Sequence, residues 1–136
     1  MKLTATLVAW TFAASFYAAA AIGFVPNPLL GPHGLFVADT AHNMVHLLTG
    51  VGFTVVALAG SKASVVFMDV FGPIYLLVGV IGFLATGLGG DGHLLGLVHI
   101  NTLDNFLHLG LGAVIGVAGW YFHSRRSSVR SGLAEA

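Results

Sequence analysis

The sequence predicts an all-α fold: a polytopic membrane protein of four transmembrane helices, arranged as two parallel helical-hairpin repeats. Three observations predict it. Hydrophobic residues make up 57% of the chain and charged residues 7%, where soluble domains carry about 25% charged residues, and mean hydropathy is +0.92. Four apolar stretches approach or exceed the roughly 20 residues that a spanning helix needs. One polar-to-apolar motif is written twice, at residues 39–50 and 101–112. A gapless alignment of the two copies pairs Thr40 with Thr102, Asn43 with Asn105, His46 with His108, Leu47 with Leu109 and Gly50 with Gly112.

The first helix is expected over 3–25. Lys2 in front of it suggests a signal peptide, but the apolar run exceeds the 7–15 residues, roughly, of a signal core. Pro26-Asn27-Pro28 ends it, because Pro cannot continue a helix. A turn-rich loop follows to Ala38, centred on Gly31-Pro32-His33-Gly34. The second helix starts at Asp39 or Thr40, both good N-caps, and runs to about Gly60. Residues 61–64 read as a tight connection. The third helix is expected from about 65 to 88, with Gly72-Pro73 as a kink near its start. The second loop, 89–102, contains His93 and His99, and its 94–100 stretch reads as a short interfacial helix. The fourth helix opens at Asn101 or Thr102 and ends near His123. One transmembrane domain thus occupies 1–124, with hairpins at about 3–60 and 65–123. Residues 125–136 form a polar, partly disordered tail.

Charge sets the expected orientation. The five basic residues, Lys2, Lys62, Arg125, Arg126 and Arg130, all fall on one side of four helices. The positive-inside rule then puts both termini in the cytoplasm and His33, His93 and His99 outside. The repeat has an architectural meaning too. Ile22-Gly23-Phe24 recurs as Ile81-Gly82-Phe83, so both hairpins run the same way through the bilayer. Such hairpins are related by an axis along the membrane normal, and the second and fourth helices can then face each other across it.

Residues four apart on a helix lie about 40° from each other on one face. His42 and His46 therefore share a face, as do Asp104 and His108. Across the repeat axis, His42 and Asp104 would form one layer and His46 and His108 a second, roughly 6 Å deeper. Thr49, Gly50, Gly112 and Gly116 keep the helices slim below.

These residues carry a resemblance. His42-Asn43-Met44-Val45-His46-Leu47-Leu48-Thr49-Gly50 and Asn101-Thr102-Leu103-Asp104-Asn105-Phe106-Leu107-His108-Leu109 resemble the paired motifs of a bacterial family of small four-helix membrane proteins, a domain of unknown function. The resemblance covers roughly residues 5–122. It implies the four-helix fold and a multi-pass place in the bacterial inner membrane, and no activity.

Two readings of the cluster compete. In the main one it is a structural clasp. Asp39 and Thr40 cap one helix, Asn101, Thr102 and Asp104 cap the other, Asn43 and Asn105 bond loop carbonyls, and His46 and His108 lock the hairpins. The protein is then a structural or accessory membrane subunit, non-catalytic, whose partners are the bilayer and a membrane protein or a second copy. In the alternative, His42, His46, Asp104 and His108 hold a transition metal such as Zn, Cu(II) or Fe(II), with His99 as a weaker extra ligand, or His46 and His108 hold a b-type haem for electron transfer. A small transporter or channel subunit is a third reading. Asp69 reads as an interfacial acid in reach of Lys62, or as a proton relay. Trp10, Trp120 and Tyr121 read as an aromatic belt. Zero Cys excludes disulfides and thiolate chemistry. Zero net charge gives no sign of a nucleic-acid partner, and neither a nucleophile triad nor a phosphate-binding loop is present to signal catalysis.

Overall fold

The computed structural model describes residues 3–134, with side chains up to Arg125. Four of its helices are long and apolar enough to cross a membrane. Helix α1 (Ala5–Gly23) opens on Thr4, whose hydroxyl accepts from the Leu7 amide at 3.1 Å, and closes ahead of Pro26. Helix α2 (Thr40–Ala59) has Asp39 as its N-cap. Helices α3 (Ser61–Thr86) and α4 (Thr102–Ala134) complete the set.

The two loops contain small sheets where the sequence predicts none. In the first loop, β1 (Leu30–Gly31) and β2 (Phe36–Val37) pair in parallel. Asn27 organises the approach to them. Its amide nitrogen donates to the carbonyls of Ile22, Val25 and Leu30 at 2.7–2.9 Å, and its oxygen accepts from the Leu29 and Leu30 amides. In the second loop, β3 (Asp91–Leu94) and β4 (Val98–Asn101) form an antiparallel hairpin. This corrects the short interfacial helix expected over 94–100. Leu95 and Gly96 both adopt positive φ, 52° and 73°, the backbone of a tight hairpin turn. β-branched Val98 and Ile100 suit the returning strand.

The other boundaries also move. Helix α3 begins at Ser61, so the connection expected over 61–64 shrinks to Gly60, whose φ of 98° turns the chain. Ser64 lies inside α3, buried, and its hydroxyl sits 3.2 Å from the Val56 carbonyl of α2. Helix α3 continues through Gly72-Pro73 as one element. Helix α4 extends to Ala134 rather than ending near His123. Its last segment is free of Pro and includes the helix formers Arg, Leu and Ala. Lys2, Glu135 and Ala136 lie outside the described residues, and the side chains of Arg126 and Arg130 do too.

Helix α1 packs chiefly on α2, and α3 chiefly on α4. The α3–α4 pair is held close by glycines. A β-carbon on Gly72 would collide with the backbone of Gly116, and one on Gly112 with Leu76. Between the pairs lies an aromatic core. Phe53 of α2 is fully buried and stacks on Phe16 of α1 at 5.8 Å, with Phe67 and Phe71 of α3 edge-on to it. Tyr75 stacks on Phe71 at 5.3 Å and carries this column up to the polar cluster. Outward faces are apolar, as at Leu58 (73% exposed) and Leu84 (81%), which suits lipid and not water.

Candidate functional site

Apart from Ser64 near the Gly60 turn, the buried polar residues of the described chain gather at the loop end of the bundle. His42, Asn43, His46, Asp104, Asn105 and His108 are each at most 8% exposed. Their positions follow from local chemistry. The Asp39 carboxylate accepts from the His42 amide at 2.8 Å and starts α2. Asn101 and Asp104 cap α4 reciprocally: the Asp104 amide donates to Asn101 Oδ1 at 3.0 Å, and the Asn101 amide donates to Asp104 Oδ2 at 2.8 Å. One turn further in, each helix presents a histidine, His46 on α2 and His108 on α4.

Bonds then cross between the hairpins. The Val37 amide of β2 donates to Asp104 Oδ2 at 3.1 Å. The His99 amide of β4 donates to Asp39 Oδ2 at 3.2 Å. The Asn101 side-chain amide donates to the Leu35 carbonyl at 2.9 Å. His42 Nδ1 lies 3.0 Å from the Val37 carbonyl and 2.9 Å from the His99 carbonyl. Carbonyls only accept, so Nδ1 carries the hydrogen. His42 thus bridges both loops.

The two asparagines work within a hairpin rather than between hairpins. Asn43 donates to the Gly23 carbonyl at the end of α1, and Asn105 donates to the Thr86 hydroxyl at the end of α3. A β-carbon on Gly23 would fall on the Asn43 side chain, and one on Gly82 on that of Asn105. Thr102 accepts from the Gly89 amide at 2.8 Å and pins the second loop. Thr40 is exposed beside Asp39.

The deeper layer is different. The His46 ring lies 4.6 Å from His42, and the His108 ring 5.8 Å from His42. His46 and His108 are therefore separated by no more than those two distances together. Tyr75 meets His108 edge-on at 4.8 Å, and Phe16 lies 6.1 Å from His46. Yet Nδ1 of His46 and Nδ1 of His108 are buried without any hydrogen-bond partner. Two cavities flank these rings. One of about 380 Å³ opens between α1 and α4 and is bordered by His42, His46, Tyr75, Asp104 and His108. The other, of about 230 Å³, opens between α2 and α3 against the same three histidines and Tyr75.

The candidate metal ligands converge, but they do not form a metal-binding set: among the described residues no group of three or more His, Asp or Glu side chains could hold a metal ion. Oδ2 of Asp104 and Nδ1 of His42 are already engaged with backbone groups. His99 contributes its backbone to the cluster and its ring elsewhere. The ring stacks on His93 at 4.7 Å, and its Nε2 lies 3.3 Å from Asp91. His33 is exposed in the first loop. Asp69 pairs with His123 Nδ1 at 2.8 Å, where the sequence suggests Lys62. Tyr75, Phe16 and Asn27 escape the sequence reading. The one signal for Tyr75 was a phenol within an otherwise apolar stretch. No family model, curated protein or solved structure matches the chain.

Proposed function

We propose that this chain is a small integral membrane protein of structural or accessory type, non-catalytic, in which the Asp/His/Asn cluster clasps two helical hairpins together. The observation that carries this reading is the exchange of hydrogen bonds between hairpins. The first hairpin's loop donates to Asp104 of the second, and the second hairpin's loop donates to Asp39 of the first. Val37 and Asp104 are both buried, so the loss of their bond would leave a buried polar group without a partner.

The duplicated architecture is supported by burial. His42, Asn43, His46, Gly50, Phe53 and Ala57 are the buried positions of α2. The positions 62 residues on, Asp104, Asn105, His108, Gly112, Ile115 and Gly119, are the buried ones of α4 up to Arg125. Ala9, Ala13, Phe16 and Ala20 of α1 match Met68, Gly72, Tyr75 and Gly79 of α3, each 59 residues on. An axis along the membrane normal accounts for both registers. Lys62 and Arg125 at the end away from the clasp favour a cytoplasmic location for both termini in a bacterial inner membrane. The partners of this reading are the bilayer and a membrane protein or a second copy, with no nucleic acid.

The test is the melting temperature of the purified protein. Asp39→Ala and Asp104→Ala should both lower it, and a strong chelator should leave the wild type unchanged. A wild type that loses stability with chelator would replace the clasp with a metal site, because a ligand bound only to the folded state stabilises it by mass action. For the accessory role, cross-linking in native membranes should trap one defined larger species. Recovery of the monomer alone would count against it.

A further inference from the structure

The geometry points to a binding site for the head of an isoprenoid quinone in the cavity between α1 and α4, held by His46 and His108. The inference goes beyond the clasp, which uses the layer above. It starts from the two imidazoles that the clasp leaves unserved. Both are more than nine-tenths buried, both have an unpartnered Nδ1, and both border the cavity of about 380 Å³. A neutral imidazole pairs one N–H with one acceptor nitrogen, and whichever role Nδ1 plays, leaving it buried without a partner is costly. With the N–H on Nδ1, an occupant bearing hydrogen-bond acceptors would give each ring a partner.

The chemistry of the lining narrows the occupant. Exposed Ser15 and Ala18 of α1 and Leu107 of α4 border the mouth, on two helices long and apolar enough to span a membrane. The occupant therefore enters from the lipid phase. The cavity lining contains no lysine or arginine and includes the Asp104 carboxyl group. A fatty-acid carboxylate or a lipid phosphate would meet no fixed positive charge there, which disfavours an anionic head. A neutral head with carbonyl acceptors is left. Phe16 and Tyr75, T-shaped at 5.8 Å, wall the space with rings, which suits a flat ring. A flat, neutral ring bearing carbonyls on a lipid tail is a quinone. The volume accommodates the head, and the tail leaves through the mouth into the bilayer.

The experiment is equilibrium binding of radiolabelled decylubiquinone to the full chain in lipid nanodiscs. Saturable binding of one molecule per chain is expected. His46→Leu and His108→Leu should each weaken it about tenfold, the effect of losing one hydrogen bond, and His108→Gln, which keeps an N–H, should recover part of that loss. Ala18→Trp, at an exposed position of the mouth, should abolish binding with the melting temperature unchanged, so the inference stays testable if the histidine variants fail to fold. Absence of saturable binding to the wild type overturns the proposal, as does binding indifferent to Ala18→Trp. Displacement by palmitate as effective as by unlabelled quinone overturns the neutral-head assignment. A Soret band that appears on adding haem, and is lost in His46→Leu, would assign the site to haem instead.

Discussion

At the scale of single residues, Asp104 joins the two hairpins with one side chain. Its Oδ2 atom accepts from the Asn101 amide of its own cap and from the Val37 amide of the other hairpin. Asp104→Ala would orphan both donors, the Val37 amide in a buried place at a cost of about 1–3 kcal/mol and the half-buried Asn101 amide at a smaller one. Asp104→Asn retains an acceptor oxygen and should be markedly milder. Denaturant titration in detergent separates the two variants, and equal effects would mean that charge, not acceptance, matters at this position. Asn27 makes a second residue-scale case. It bonds five backbone groups, four in the first loop and one, the Ile22 carbonyl, at the end of α1. Asn27→Ala should expose residues 24–31 to limited proteolysis while the helices stay protected. Unchanged cleavage would show that the flanking prolines suffice.

At the scale of elements, the α3–α4 contact depends on the absence of β-carbons. Gly72 faces Gly116, and Gly112 faces the Leu76 backbone. Close approach of this kind drives helix association in lipid, where apolar burial adds little. Gly72→Val should force the pair apart and cost about 1–3 kcal/mol, the usual range for overpacking. Gly116→Ala should cost less, since its β-carbon would meet nothing nearer than 3.9 Å. A ranking of melting temperatures with Gly116→Ala below Gly72→Val would contradict this geometry. The α2–α3 junction tests a different physics. Gly60 has φ of 98° and ψ of −176°, an essentially glycine-only region where another residue costs about 1–3 kcal/mol. Gly60→Ala should therefore destabilise through backbone strain, although its β-carbon would meet no neighbouring atom.

At the scale of the whole molecule, four membrane-length helices place the Gly60 turn at the end opposite the two β-loops. The chain has no cysteine, so single-cysteine labelling reads topology without background. Lys62→Cys should react only after the inner face is opened, and His33→Cys and His93→Cys should react in intact cells. Labelling of all three from outside would dismantle the proposed orientation and the four spans. The aromatic column through Phe16, Phe53, Phe71 and Tyr75 fills the middle of the bundle. It also forms the floor on which the deeper histidine layer rests.

The sequence by itself determined what is local or periodic. Apolar runs of membrane length needed no partner to be visible, because in lipid the backbone must satisfy itself within a helix. The caps at Asp39 and at Asn101 with Asp104 were legible from spacing, since a side chain three residues away reaches the same orphan amides wherever the helix lies. The shared face of His42 and His46 followed from helical pitch. Only the tertiary structure decided the rest. The β3–β4 hairpin arises where a positive-φ turn at Leu95-Gly96 outweighs an apolar run that reads equally as helix. The partners of Asp104 and His42 across hairpins lie some 60 residues away in the chain, beyond any periodicity. Asp69 meets His123 rather than Lys62 because α4 passes beside it where Gly119 permits close approach. Tyr75 enters the cluster because the packing of α3 on α4 turns that face inward, and which face turns inward is a property of the assembled bundle.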